Sequence, residues 1–182
     1  MRILHIINNL NSGGAEKLLV DTLPLYKNEG VELEVLQLSN GESVREYIDK
    51  LQKVGIPVRH LDSESIYNPL KVLKLSRFFK TNRYDVIHVH LFPAMYWSAL
   101  ASKLSGIPTP MIFTEHSTQN KRFDKFYFRP IDRFIYGSYN KVIAISEAIG
   151  AKLKEWTQMP DRIGIIRNGV NVKRFREATA YP

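Results

Sequence analysis

Short apolar runs repeat almost from end to end of the 182-residue chain, each followed through a Gly-, Pro-, Asn- or Ser-bearing loop by a helical pattern. This alternation constrains the fold more than any other feature. The runs expected as strands are Arg2–Ile7, Glu32–Leu38, Val58–Leu61, Asp85–His90, Met111–Glu115, Lys141–Ile145 and Ile163–Ile166. The expected helices are Ala15–Asn28, Ser43–Val54, Pro69–Thr81, Pro93–Ser105, Arg122–Tyr136 and Glu147–Trp156. Several runs are near-continuous Val, Ile and Leu, which suits parallel strands covered on both faces. The pattern predicts an α/β domain, doubly wound and Rossmann-like, with a mostly parallel sheet of about seven strands.

Two helices can be tested by angle, at about 100° per residue. In the third, Val72, Leu75, Phe78 and Phe79 share a side, with Lys74, Arg77 and Lys80 opposite. In the fifth, Phe123, Tyr127, Ile131, Phe134 and Ile135 share the expected core face, with Lys125, Arg129, Asp132 and Arg133 opposite; Pro130 kinks or divides it. The mixture of Lys121, Arg122, Lys125, Arg129 and Arg133 with Phe123, Phe126, Tyr127 and Phe128 also admits a basic-aromatic surface for lipid or nucleic acid. The angular pattern favours an ordinary amphipathic helix.

The absence of cysteine excludes a disulfide framework, a zinc ribbon, an iron–sulfur cluster and a thiol nucleophile, and fits a reducing compartment. The first apolar run is too short for a signal-peptide core, and no run approaches the ~18 residues of a membrane span. A soluble, cytoplasmic chain is expected. With 26 Lys and Arg against 18 Asp and Glu the net charge is +8, which marks either an anionic partner or a solubility charge.

In a doubly wound sheet, ligands bind beyond the carboxyl ends of the strands where strand order reverses, so the loops after the strands carry the chemistry. The first runs Asn8 to Glu16 and contains Gly13-Gly14. Its glycines permit close backbone approach to a phosphate or sugar at a helix N-terminus, although a capping role explains them equally well. It has neither dinucleotide-motif spacing nor a Walker lysine. His88 and His90 share a face of their strand, with His90 nearer the tip. His88 reads as structural. His90 reads either as structural or as a contact to a substrate hydroxyl or proton. No third ligand follows them at metal spacing along the chain, so no metal site is expected. Glu115, His116 and Ser117 are consecutive, which argues against a hydrolase triad, and Ser117 or Thr118 suits a local cap.

The order of these signals is more specific than any one of them. The Gly13-Gly14-Ala15-Glu16 loop, Asp85 to His90, Thr114-Glu115-His116-Ser117, Ala144 to Ala148, and Arg167-Asn168-Gly169-Val170-Asn171 follow one another along the chain. From Arg2 to Phe175 this series resembles the N-terminal half of glycosyltransferase family 4, retaining nucleotide-sugar transferases of the two-domain GT-B architecture. The resemblance implies that Gly13 and Gly14 face the donor and that His90 lies against the transferred sugar in the catalytic role. It places Glu16, His116 and Ser146 on the acceptor side, and Asn168 and Gly169 in the turn between domains. Asn171 stands where the family usually has Asp.

The resemblance further implies a nucleotide-sugar as substrate, no cofactor, no metal, and a glycan or lipid-linked acceptor. Peripheral contact with the inner membrane face is a further expectation; nucleic acid binding is not expected. Residues 1–170 are expected to form the Rossmann-like domain and 171–182 the start of a connection to a C-terminal donor-binding domain. That domain would carry the paired glutamates and the diphosphate-gripping cations, so the chain alone is expected to be inactive. The alternative is a non-catalytic Rossmann-like module for a nucleotide or anionic metabolite.

Overall fold

The computed structural model describes residues 1–41, 43–117 and 122–169. The expectations for Thr118, Lys121, Val170 and the segment 171–182 lie outside these residues. Among them, seven strands alternate with six helices: β1 (Arg2–Ile7), α1 (Gly14–Asn28), β2 (Glu32–Ser39), α2 (Arg45–Lys53), β3 (Val58–Asp62), α3 (Lys71–Thr81), β4 (Val86–His90), α4 (Ala94–Ser105), β5 (Met111–Glu115), α5 (Arg129–Tyr136), β6 (Lys141–Ala144), α6 (Glu147–Thr157) and β7 (Ile163–Ile165). The sheet order is β3-β2-β1-β4-β5-β6-β7, and every neighbouring pair is parallel. The Rossmann-like expectation is met.

The chain winds outward from β1 to β3, returns through α3 to place β4 beside β1, and then winds the other way. This makes the β1–β4 junction the switch point. Strand alternation divides the interior in two. Leu4, Ile6, Ile87, Val89 and Phe113 enter the larger core with Leu75, Phe79, Met95, Ala99 and Leu153 from α3, α4 and α6. Ile7, Leu33 and Val35 enter the smaller one with Leu19, Val20, Leu23 and Leu51 from α1 and α2. The amphipathic side expected of α3 is the one it buries, with Leu75 and Phe79 inside. Lys71 at its start is also fully buried: its ammonium lies 2.5 Å from Asp62 Oδ1 and donates to the Leu38 carbonyl at 2.7 Å, tying α3 to β2 and β3.

The fifth helix departs from expectation. A 3-10 turn, Phe126–Phe128, precedes α5, which begins at Arg129 with Pro130 in its first turn, where a missing N–H costs nothing. Of its expected core face, Phe123 and Ile135 are buried, but Tyr127 is 54% exposed, Ile131 49% and Phe134 55%. Asp132, expected in solvent, is fully buried. The reason is electrostatic. Arg122 Nη1 pairs with Asp132 Oδ1 at 2.6 Å, Trp156 Nε1 donates to Oδ2 at 2.8 Å, and the Tyr96 hydroxyl donates to the same carboxylate. A buried carboxylate needs such a full set of donors. Satisfying it turns α5 so that Ile135 and Tyr136 go inward and the rest of its apolar side faces out.

Candidate functional site

The parallel register brings the loops after β1, β4, β5 and β6 to one edge of the sheet. At the switch point, Asn8 joins two of them. Its side-chain nitrogen donates to the Phe92 carbonyl at 2.8 Å, and its oxygen accepts from the Ala94 N–H at 3.2 Å. Between His90 and Phe92, Leu91 has φ +65°, a left-handed conformation that costs a non-glycine residue about 1–3 kcal/mol. Gly13 caps α1, its carbonyl accepting from Lys17 N–H. A side chain at Gly13 would collide with the Glu16 carboxylate, whereas one at Gly14 would meet nothing. Glu16, third in the helix, thus folds back over the helix N-terminus as a capping glutamate does. Burial pushes its pKa up.

Four of the five histidines gather beside this edge. His5 Nδ1 lies 3.1 Å from His90 Nε2, and His90 Nδ1 lies 3.3 Å from His116 Nε2. His88 Nε2 bonds the Thr114 hydroxyl at 2.7 Å. His5 and His90 are 4% and 3% exposed. Burial holds every one of these rings below the ordinary histidine pKa: His5 and His116 at about 4, and His88 and His90 well below 6.5. They are therefore neutral at pH 7. A neutral imidazole has one donor and one acceptor, so His90 donates to one neighbour and accepts from the other. Such a group can exchange hydrogen bonds with hydroxyls; it does not grip a phosphate by charge.

His5 is the residue missed by reading along one strand. It pairs with His88 only across the sheet, in the β1–β4 register. A ring nitrogen from each of His5, His88 and His90 lies within 4.8 Å of the others. These three could hold one transition-metal ion, a set that spacing along the chain does not reveal.

A cavity of about 320 Å³ runs along this face between α1 and the strands. His5, His88, His90, Thr114 and His116 line it, as do Ile143, Ile145 and the segment Ile166 to Gly169. It therefore brings together His90, His116, Asn168 and Gly169 of the expected set. Gly13, Gly14, Glu16 and Ser146 are not among its lining residues. Ser146 caps α6, accepting from Ile149 N–H at 3.3 Å. Glu115 does not reach His116: it accepts from the Tyr136 hydroxyl at 2.8 Å and, more weakly, from Ser117 N–H, and no triad forms.

No helix among the described residues is long and apolar enough to cross a membrane. The profile of Glycosyltransferase Family 4 matches residues 12–174. Over 105 residues the chain is 32% identical to the capsular polysaccharide biosynthesis glycosyltransferase CapH of Staphylococcus aureus, covering 58% of this chain and 27% of that protein. It is 21% identical to the UDP-Gal:alpha-D-GlcNAc-diphosphoundecaprenol alpha-1,3-galactosyltransferase of Escherichia coli, over 98% of this chain and 47% of that one. The crystal structure of Anabaena HepE with UDP and glucose shares the fold, with a TM-score of 0.73 at 20% identity over 95% of this chain and 46% of HepE. The chain thus spans about half the length, or less, of these relatives. With 12–174 matched, the chain belongs to glycosyltransferase family 4.

Proposed function

We propose that this chain forms the acceptor-side half of a retaining, GT-B-type glycosyltransferase that moves a hexose from a nucleotide-sugar to a glycan or lipid-linked acceptor. The observation that carries the reading is the neutral His5–His90–His116 chain beside the switch point of a family 4 domain. The donor and acceptor classes are supported by relatives whose names carry UDP-Gal, diphosphoundecaprenol, UDP and glucose.

In this reading the bond from the anomeric carbon to the diphosphate breaks while an acceptor hydroxyl bonds to the same face of that carbon. The hydroxyl proton leaves with the diphosphate. His90 hydrogen-bonds a hydroxyl of the transferring sugar, and the Gly13-Gly14 backbone approaches the donor. Glu16, His116 and Ser146 face the acceptor. The departing diphosphate needs preorganised cations or N–H donors in a closed cleft; the other half of the cleft supplies them. The reaction is read as metal-independent, so chelation leaves turnover unchanged.

The test joins the chain to its second half. His90→Ala should lower kcat by about 10²–10³-fold, as loss of one transition-state hydrogen bond does, and NMR of the product should show the donor's anomeric configuration. The 182-residue chain alone should show no turnover; sugar transfer by it sinks that clause. Tight binding of a free nucleotide to the chain alone would instead favour the non-catalytic module.

The outward side of α5 and of the 3-10 turn before it supports peripheral membrane contact. Phe126, Tyr127, Ile131 and Phe134 are exposed among Lys125, Arg129 and Arg133, and the Lys103 ammonium sits 4.7 Å from the Phe134 ring centre. Apolar rings rimmed by cations suit an anionic leaflet. Co-sedimentation with phosphatidylglycerol vesicles should weaken at high salt and in Phe126→Ser; absence of binding at low salt removes this clause.

A further inference from the structure

We propose that a second, aromatic cavity beside the switch point holds the isoprenoid segment of a lipid-linked acceptor. The proposal rests on the transferase reading above and names which part of the acceptor goes where.

Tyr67, Phe92, Tyr96, Trp97 and Phe128 wall this cavity, with Arg122 beside them. Its volume is about 250 Å³, just short of the ~300–1,000 Å³ that whole small ligands occupy, so it suits one portion of a larger molecule. Its place is set by the site: Phe92 follows His90 by two residues, and its carbonyl is held by Asn8 from the tip of β1. On the far side, Phe128 ends the 3-10 turn whose Phe126 and Tyr127 project outward. The cavity thus lies between the catalytic edge and the face assigned to the membrane.

Its chemistry selects an apolar occupant. Trp97 Nε1 donates to the Ile66 carbonyl at 2.7 Å, and the Tyr96 hydroxyl donates to Asp132. The Arg122 charge is balanced by Asp132, and its guanidinium lies over the Phe92 and Tyr96 rings at 4.7 and 5.2 Å. The polar groups of Trp97, Tyr96 and Arg122 already have partners within the protein, and Tyr67 is 62% exposed, so ring faces are most of what remains to meet a ligand. A pyranose would lose water from several hydroxyls without equivalent bonds in return. An isoprenoid has no hydroxyls to desolvate and packs its methyls on aromatic faces. The diphosphate is left outside the cavity, on the side of the switch point.

The chain is titrated with farnesyl diphosphate, inorganic diphosphate and methyl α-glucoside, read by calorimetry and by tryptophan emission. Farnesyl diphosphate should saturate and shift the emission; the other two should do neither at the same concentrations. Trp97→Phe should keep the affinity and lose most of the emission change. Tyr67→Ser and Phe92→Ala, at positions 62% and 40% exposed and so tolerant of change, should each weaken binding by about tenfold, as loss of an aromatic anchor does. Equal affinity for farnesyl and inorganic diphosphate overturns the proposal, as does wild-type affinity in both wall variants. An emission shift with the glucoside makes the cavity a sugar subsite and overturns it too. The transferase reading fails separately. If the joined enzyme glycosylates a water-soluble acceptor while farnesyl diphosphate is ignored, only this inference falls. If farnesyl diphosphate binds but no nucleotide-sugar is consumed, the cavity stands and the transferase reading falls.

Discussion

The two faces of one sheet differ in what covers them. Under α3–α6, strands β4–β6 present Ile87, Val89, Phe113, Val142 and Ala144, each no more than 1% exposed. On the opposite face α1 and α2 pack on β1–β3, and β4–β6 turn His88, His90, Thr114 and Ile143 toward the 320 Å³ cavity, with Ile145 just beyond β6. Adjacent residues of a single strand thus face a packed interior and a cavity. The comparison teaches that, in a parallel strand, polar residues at every second position mark a face that the domain's own helices leave incompletely filled.

Substitutions on the two faces should separate sharply if this contrast holds in solution. Phe113→Ala on the covered face should cost about 3–5 kcal/mol in urea unfolding, the range for emptying a large core site. Ile143→Ala, half-buried on the cavity side, should cost roughly 1–2 kcal/mol, because water can fill what it leaves. Equal losses would mean that the cavity closes in solution.

Acidification below pH 6.5 acts on the buried histidines. The unfolded chain takes up protons on these rings near pH 6.5, whereas the folded one resists until about 4 at His5 and His116. Stability is therefore complete above about 6.5 and is lost as pH falls toward 4. Thermal melts across that window should show the slope, and His5→Gln should flatten it. A flat wild-type profile would mean that the rings are hydrated.

Smaller effects sharpen the picture. Thr114→Val strips His88 of its 2.7 Å partner and should cost about 1 kcal/mol. Phe126→Ser on the outward face of the turn before α5 should change stability by less than about 0.5 kcal/mol while reducing vesicle binding.

The strands were readable because several are near-continuous Val, Ile and Leu runs, as parallel strands covered on both faces tend to be; all seven lie within one residue of their expected ends. Helix α3 was readable because its apolar stripe follows the helical period. The face of α5 was not, because Asp132 is buried in an ion pair with Arg122, ten residues away, while three side chains of the expected apolar stripe, Tyr127, Ile131 and Phe134, are left exposed. Motif order marked His90 and His116 as neighbours of one site, but their union with His5 depends on β1 lying beside β4, a register that no local pattern encodes. The aromatic cavity was hidden for the same reason: its walls come from the loops before α3 and after β4, from the first turn of α4 and from the turn before α5.

The Asn8 carboxamide has a consequence for anyone recombining such domains. Because one amide both donates to Phe92 and accepts from Ala94, the first and fourth βα loops are physically coupled. A chimera that imports one of them from a relative must import the other, or supply a residue with both a donor and an acceptor at the seam. Aspartate there has the size but cannot give the proton.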